Sequence, residues 1–579
     1  MQIVPLADVL TPKGLGLPQL HALTPTIDSY KTLLFQPDGE LLVSAVGIQH
    51  KDRDRAAIQF SRFLENAHAT QTDLAICPEY SMPWQVLTDA LNGGVTPTSG
   101  ALWVLGCESI TYGQLTEIEQ ALAPAIFIKE ALPEVANRFL SSLVYVFSAP
   151  VTGTGETQLV VLAQFKTFPM SHPTNFEVTN LQRGTAVYRL TRPEQSVSLV
   201  SIICSDALDF TDQNATEIYD RCLIIHIQLN KDPRHVEFRR YRDKLLHFYD
   251  DQTELICLNW ASGIVSWNDN KREEWRNVAG SAWYTKTSKF DLTEDALGRN
   301  HRKGLYYTWL KPLQFHVTFF NYVSAVFDVE ASKVFHHAVA GVASRRRGPQ
   351  LNSVRTWNAE TRNWVDVDTT DDAFSSIISE AGPAAANLTA SWRSCPFGAE
   401  RVLALTSGAT SPGPNWYKLQ ELDSCKIEDD EIIMRMTFCQ DTNNSARQFK
   451  TARFRRYREL HNILSIGDLP QSINDLRAGF QLEWSAARPQ QNVKSVAGAY
   501  ATAIYMGDGA SKNEIDAAFE KAADNMRFAF RSADDILAAQ QRLVVWYRED
   551  GTLKQVDPDR FIKFDKTGEA PLDIGRSEA

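Results

Sequence analysis

Short apolar runs recur along the first 350 residues and stop abruptly at polar or turn-forming positions. Runs at 42–48, 74–77, 102–105, 143–147, 159–163, 197–203, 223–227 and 255–258 read as strands, and several are apolar throughout rather than alternating, the pattern of strands covered on both faces. Between the first two, Ala57, Phe60, Leu64 and Ala67 fall at helical spacing and predict a helix over Arg55 to Ala67. Strands alternating with helical stretches define an α/β class. Residues 1–39, rich in Pro, Gly and Leu without a clear period, read as an extension draped over a domain.

Three of the runs end at chemically distinctive residues. Leu74-Ala-Ile-Cys77-Pro78 delivers Glu79. Pro78 cannot donate a ladder hydrogen bond, so the strand is expected to stop there and aim Glu79 outward. Leu159 to Phe165 delivers Lys166, set between Phe165 and Phe168, and Val197 to Ile203 delivers Cys204, followed by Ser205 and Asp206. Taken alone, a cysteine at a strand end is more often core than catalyst. A carboxylate, an ammonium and a thiol at three strand ends form a different object. The carboxylate can take the thiol proton, the thiolate can attack a carbonyl or nitrile carbon, and the ammonium can stabilise the charge that develops on oxygen or nitrogen.

The order Glu79, Lys166, Cys204 and its contexts, Ile76-Cys-Pro-Glu79-Tyr80, Phe165-Lys166 and Ile202-Ile-Cys204-Ser-Asp206, resemble the nitrilase, or carbon–nitrogen hydrolase, superfamily over about residues 40–345. Other landmarks fall in register: Leu42 to Gln49 as the first strand, Trp103 to Glu108, Asn137 with Leu143 to Phe147, Leu255 to Gly263, and Gly280-Ser281-Ala282. The resemblance implies a four-layer αββα sandwich. It also implies Glu79 as general base, Lys166 as oxyanion stabiliser, Cys204 as nucleophile and a second glutamate orienting lysine and substrate, for which Glu177 is the candidate. The Ser205 backbone N–H would complete the oxyanion site. Ser205 and Leu208 stand where members often carry an aromatic residue and an arginine. The implied reaction is hydrolysis of a non-peptide carbon–nitrogen bond, most simply an amide, through a thioester, with no metal or organic cofactor. Nitrilase and acyltransferase chemistry would use the same residues. A sensor or scaffold that binds a metabolite or protein, coupled to the C-terminal region, is the reading from a different class.

Length and composition extend this picture. With 579 residues, two or three domains are expected. The boundary is placed at Arg345-Arg-Arg-Gly348-Pro349, leaving 346–579 as an additional α+β C-terminal domain of unknown role. There Glu431 to Cys439 reads as a strand, Thr451 to Leu464 as a basic helical stretch, read as a solvated face ahead of a phosphate- or partner-binding one, and Ser511-Lys-Asn-Glu514 as a capping box for a helix running towards Leu537. A net charge of −11 argues against a nucleic-acid binder, and no apolar run is long enough for a membrane span. The eight cysteines include no Cys-x-x-Cys pair, and His172, His226 and His235 lack metal-ligand spacing. G-x-S-x-G and H-E-x-x-H sequences do not occur, which lowers serine-hydrolase and zinc-protease readings. Met1-Gln-Ile-Val-Pro does not open like a secretory signal. A reducing cytoplasm, a small amide or nitrile substrate and a homo-oligomer, the last by resemblance, complete the expectations.

Overall fold

The structure is a computed structural model. It describes residues 1–558 apart from 25–26, 28, 123, 171–175, 192–196, 219–220, 232–235, 248–252, 262, 269–270, 276–280, 286–299, 301–302, 311–314, 322, 333–348, 368–374, 390–397, 411–443 and 486. The chain divides into two compact units. The first is Met1–Thr369, with Leu419–Asp429 grouped with it. The second is Thr370–Lys418 with Asp430–Ala579.

Two mixed sheets make up most of the first unit. A nine-stranded sheet has the spatial order Asn363–Asp366, Gln350–Asn358, Ala325–Ser332, Ser29–Gln36, Leu74–Met82, Leu102–Ile110, Leu140–Pro150, Thr157–Phe165, Ala125–Lys129. An eight-stranded sheet has the order Gln2–Pro5, Ala186–Leu190, Ser198–Ile203, Cys222–Ile227, Glu254–Leu258, Ala282–Thr285, Phe315–Phe320, Leu305–Leu310. A smaller four-stranded sheet joins Glu40–Ser44 and Gly47–His50 to Val265–Asn268 and Lys271–Glu274.

The all-apolar runs are explained by burial on both faces. In the nine-stranded sheet Ala75, Cys77, Trp103, Leu105, Val144 and Val161 share one core with Phe60, Phe63 and Leu64 of the helix Arg53–Ala69 and Leu87 and Leu91 of the helix Trp84–Asn92. Their alternate neighbours Leu74, Ile76, Leu102, Val104 and Tyr145 point to the other face and are equally buried. On that face Gln164 donates from Nε2 to the Ser201 carbonyl at 2.9 Å and accepts from the Tyr188 N–H at 3.1 Å, tying the lysine strand to the eight-stranded sheet.

Several expectations need correction. Residues 1–39 are not a draped extension. Gln2–Pro5 pairs with Ala186–Leu190, and Ser29–Gln36 is an inner strand between Ala325–Ser332 and Leu74–Met82. Lys31, Thr32 and Gln36 break its apolar pattern, and inside the fold Gln36 Nε2 donates to the carbonyls of Asn321 and Val323 at 2.7 and 2.8 Å. The run at Leu42 to Gln49 is a tight hairpin of the small sheet rather than the first strand of a large one. The break at 345 is too early, because Gln350–Asn358 and Asn363–Asp366 form a hairpin on the edge of the nine-stranded sheet. Arg345 to Arg347, Gly280 and Glu431 to Cys439 lie outside the described residues.

The second unit has its own five-stranded sheet, in the order Phe480–Leu482, Val493–Ser495, Tyr500–Asp508, Leu543–Glu549, Thr552–Gln555. Tyr457, Leu460 and Leu464 of the helix Asn444–Ile466 share a core with Ala501, Ala503 and Tyr505 of that sheet. The capping box at Ser511 and Glu514 is present, but its helix ends at Ala529, and Ser532 caps a separate helix Ala533–Gln541. Among the described residues, no helix is long and apolar enough to cross a membrane.

Candidate functional site

Glu79, Lys166, Cys204 and Glu177 meet in one buried cluster in the first unit. The glutamate strand does not stop at Pro78. It runs to Met82, and Glu79 is buried rather than aimed outward. What Pro78 does is interrupt pairing. The ladder to Leu102–Ile110 holds through Cys77 and resumes only at Met82, and Tyr80 takes a left-handed φ of 57°. Cys77 and Met82 both face the helix side. Regular alternation would send Glu79 to that side as well. The break turns it instead to the opposite face, where its Oε2 accepts the Leu229 N–H at 3.1 Å.

Gly106, on the neighbouring strand, leaves room for this break. A Cβ there would lie 2.1 Å from the Pro78 carbonyl oxygen and 2.7 Å from the Glu79 Cα. Gly106→Ala is therefore expected to push Glu79 out of place at a cost of about 1–3 kcal/mol. A lowered urea midpoint together with lost turnover checks it; a fully active variant contradicts it.

Lys166 follows Phe165 by one position and so points away from the helix side, while its N–H still bonds the Ser141 carbonyl at 2.9 Å. Its Nζ donates to Glu79 Oε1 at 2.8 Å and to both oxygens of Glu177 at 2.8 Å. Tyr80 Oη donates to Glu177 Oε1 at 2.7 Å and the Met170 N–H to Glu177 Oε2 at 2.8 Å. Ser141 Oγ donates to Glu79 Oε1 at 3.2 Å, and Trp260 Nε1 to the Glu79 carbonyl at 2.7 Å.

Cys204 ends the strand Ser198–Ile203 and opens a short 3-10 turn, Cys204–Leu208, with a φ of 42°. A non-glycine residue in that region costs on the order of 1–3 kcal/mol, and such strain clusters at functional sites. Its thiol lies within the electrostatic reach of Glu79, Lys166 and Glu177. Burial pushes the thiol well above the usual range, Glu79 adds to this, and Lys166 opposes it. The resting group is a neutral thiol, not a preformed thiolate. Burial, followed by the charge of Glu177, also holds Glu79 above the ordinary carboxylate range against the pull of Lys166. Burial pulls the ammonium of Lys166 down, but Glu177 and Glu79 outweigh it, and the net shift is well upward. The arrangement is an ammonium fixed between two carboxylates, with a neutral thiol that feels the charges of all three.

Ser205 is buried, and its hydroxyl donates to the Phe168 carbonyl at 2.7 Å. Asp206 Oδ1 accepts from the N–H groups of Thr167 and Phe168 at 2.8 Å each and from Thr167 Oγ1 at 3.0 Å. The turn after the cysteine thus grips the segment after the lysine. Tyr80, Ser141, Asp206, His226, Leu229 and Trp260 were not picked out as site residues from the sequence. Only Asp206, two places after Cys204, carried a local signal. Glu108 lies within the strand Leu102–Ile110 and accepts the His50 N–H at 2.8 Å.

Burial pushes the Asp206 carboxyl up to about 7 from 3.8, and Lys166 only partly counters this. The folded state then binds a proton over that window which the unfolded state does not. The stability from this proton is complete below about pH 4 and is lost as the pH rises through 7. Asp206→Asn retains an oxygen acceptor for the three donors and is expected to flatten the fall in unfolding free energy between pH 4 and 7, by on the order of a few kcal/mol. Denaturant titrations at several pH values measure this, and parallel pH curves for the two proteins would refute it.

No family model matches the chain, and no curated protein matches it. Solved structures do match, at low identity. The glutamine-dependent NAD+ synthetase of Acinetobacter baumannii aligns at 13% identity and a TM-score of 0.29, over 54% of this chain and 48% of its own. This chain therefore spans about half the length of that synthetase. A mutant of the nitrilase-superfamily amidase of Nesterenkonia AN1 aligns at 11% identity and a TM-score of 0.27, over 45% of this chain and 83% of its own. A CN-hydrolase superfamily protein of Xanthomonas campestris, solved with an arsenic adduct in its active site, aligns at 12% identity and a TM-score of 0.26, over 44% and 82%. The chain resembles nitrilase-superfamily amidases and carbon–nitrogen hydrolases.

Proposed function

We propose that the first unit, a nitrilase-like αββα sandwich, hydrolyses the carbon–nitrogen bond of a small non-peptide amide through a thioester on Cys204. The observation that carries this reading is that Lys166 is held by Glu79 and Glu177 while the turn opened by Cys204 is hydrogen-bonded to the segment that follows Lys166. Cys204 Sγ attacks the amide carbon as Glu79 takes the thiol proton. The carbonyl oxygen gains the displaced electron pair and lies against Lys166 Nζ and the Ser205 N–H. Collapse breaks the carbon–nitrogen bond, and Glu79 returns the proton to the leaving ammonia or amine. Water then attacks the thioester, giving a proton to Glu79. The thioester breaks, the thiol is reprotonated, and the acid leaves. Glu177 holds Lys166 in place and touches no reacting atom.

Ammonia release from a panel of primary amides and nitriles, by wild type and Cys204→Ala, tests the reading. Turnover by wild type alone supports it, and the preferred substrate separates amidase from nitrilase. One feature favours a metabolite-binding sensor instead: Glu79, Lys166 and Cys204 are each only 1% exposed, so a substrate must displace part of the wall to enter. Thermal stabilisation by an amide that neither protein turns over would support that role.

A further inference from the structure

His226 lies on the strand Cys222–Ile227, beside the cysteine strand and opposite Ile202. Its strand neighbours Ile225 and Ile227 are aliphatic, and the site is fully buried, so an aliphatic residue would fit the pattern there. The histidine instead bonds the backbone of the nucleophile: Nε2 lies 2.9 Å from the Cys204 carbonyl oxygen.

The acceptor-only Cys204 carbonyl fixes which ring nitrogen carries the proton, and polar neighbours surround the ring. Asn230 Nδ2 lies 3.5 Å from Gln228 Oε1, which orients the Gln228 amide. The Cys204 carbonyl can only accept, so Nε2–H donates to it; Gln228 Nε2 lies 2.9 Å from Nδ1 and 3.3 Å from Nε2, and Cys257 Sγ lies 3.9 Å from Nδ1. Burial holds this imidazole down to about 3, so it is neutral. The rings of Phe238 and Tyr241 lie 6.0 and 5.2 Å from it. The residue between Gln228 and Asn230, Leu229, gives its N–H to Glu79. One three-residue segment thus supports both the base and the histidine that holds the nucleophile's carbonyl.

The Cys204 carbonyl and the Ser205 N–H belong to one planar trans peptide and point in opposite directions. Fixing the first aims the second. Resting on the amide-hydrolase reading above, we propose that His226 is a positioning residue that aims the Ser205 N–H at the developing oxyanion by anchoring the Cys204 carbonyl. A hydrogen bond to that carbonyl also polarises the peptide and strengthens its N–H as a donor. Cys204, held at a positive φ, has no regular strand partner to impose this orientation.

The test compares His226→Leu, which removes the donor, with His226→Gln, which can place an N–H where Nε2 lies. Three readouts are taken on the full chain. The first is kcat and KM for an amide the wild type turns over. The second is affinity for the aldehyde of the same acyl group. Cys204 sulfur adds to its carbonyl carbon, the π pair moves to oxygen, and the thiol proton passes to Glu79. The third is the rate of Cys204 alkylation by iodoacetamide, which forms a sulfur–carbon bond and expels iodide without making an oxyanion. For His226→Leu, kcat is expected to fall roughly tenfold to a hundredfold, below the ~10²–10³ of deleting an oxyanion donor outright. KM should stay within about twofold, because the interaction is made only in the transition state. Aldehyde affinity should fall with kcat, alkylation should change little, and His226→Gln should recover part of the loss. Unchanged kcat and aldehyde affinity overturn the proposal. So does alkylation that falls in step with kcat, since His226 would then be placing the thiol rather than the N–H. Wild type that turns over no amide and binds no aldehyde defeats the hydrolase reading itself, and the His226 role with it.

Discussion

On the proposed amide-hydrolase reading, Cys204→Ala is expected to remove amide turnover, with a loss of at least about 10³-fold in kcat, and Glu79→Gln to do nearly the same. The thiol and its carboxylate act as a unit. Without sulfur there is no thioester, and without an ionisable carboxyl nothing takes the proton from a thiol that burial holds neutral. The double variant is therefore expected to lose little more than either single one. Ammonia release measured for all three proteins checks this. Full multiplicative losses, or a Glu79→Gln enzyme within tenfold of wild type, would show that the proton goes elsewhere. Cys204→Ala should stay folded, because it removes one sulfur and relieves none of the charge balance around Lys166.

Lys166→Met has a second large effect, this time on stability. It withdraws the ammonium that bridges two buried carboxylates, each within 2.8 Å of Nζ. Breaking a buried pair from one side typically costs about 3–5 kcal/mol, because the remaining charge keeps its desolvation penalty. The defect should depend on pH. Burial already holds Glu79 above the ordinary range, and losing Lys166 raises it further. A raised carboxyl favours the folded state at low pH, and that contribution is lost as the pH rises through its folded value. Urea unfolding should therefore show a larger deficit at pH 8 than at pH 5. Lys166→Met combined with Glu177→Gln should recover part of it, since one buried charge is removed. A deficit independent of pH would contradict the charge account.

The sequence shows the apolar strands that carry Glu79, Lys166 and Cys204 because each is buried on both faces, so nearly every position is hydrophobic. It shows less well the strand Ser29–Gln36, whose pattern Lys31, Thr32 and Gln36 interrupt, the Gln36 amide being held by hydrogen bonds made only after folding. The hairpin at Gln350–Asp366 alternates polar and apolar residues as an edge element does and reads as lying past a domain break. At the site, the charged triad is visible as residue types at strand ends. Its orientation is not. Pro78 suggests an end of strand, whereas the chain passes through a break in pairing that turns Glu79 to the opposite face. Supporting groups such as Ser141, Leu229 N–H, Trp260 and His226 come from distant segments or from the backbone, and a single sequence carries no trace of which segments will meet.

The most direct test of the central claim is intact-protein and peptide mass spectrometry after acid quench during turnover of the best amide in the panel. The account predicts a fraction of the enzyme heavier by one acyl group, located on the Cys204 peptide, and absent in Cys204→Ala. Steady ammonia release with no adduct on Cys204, together with turnover by Cys204→Ala, would contradict it.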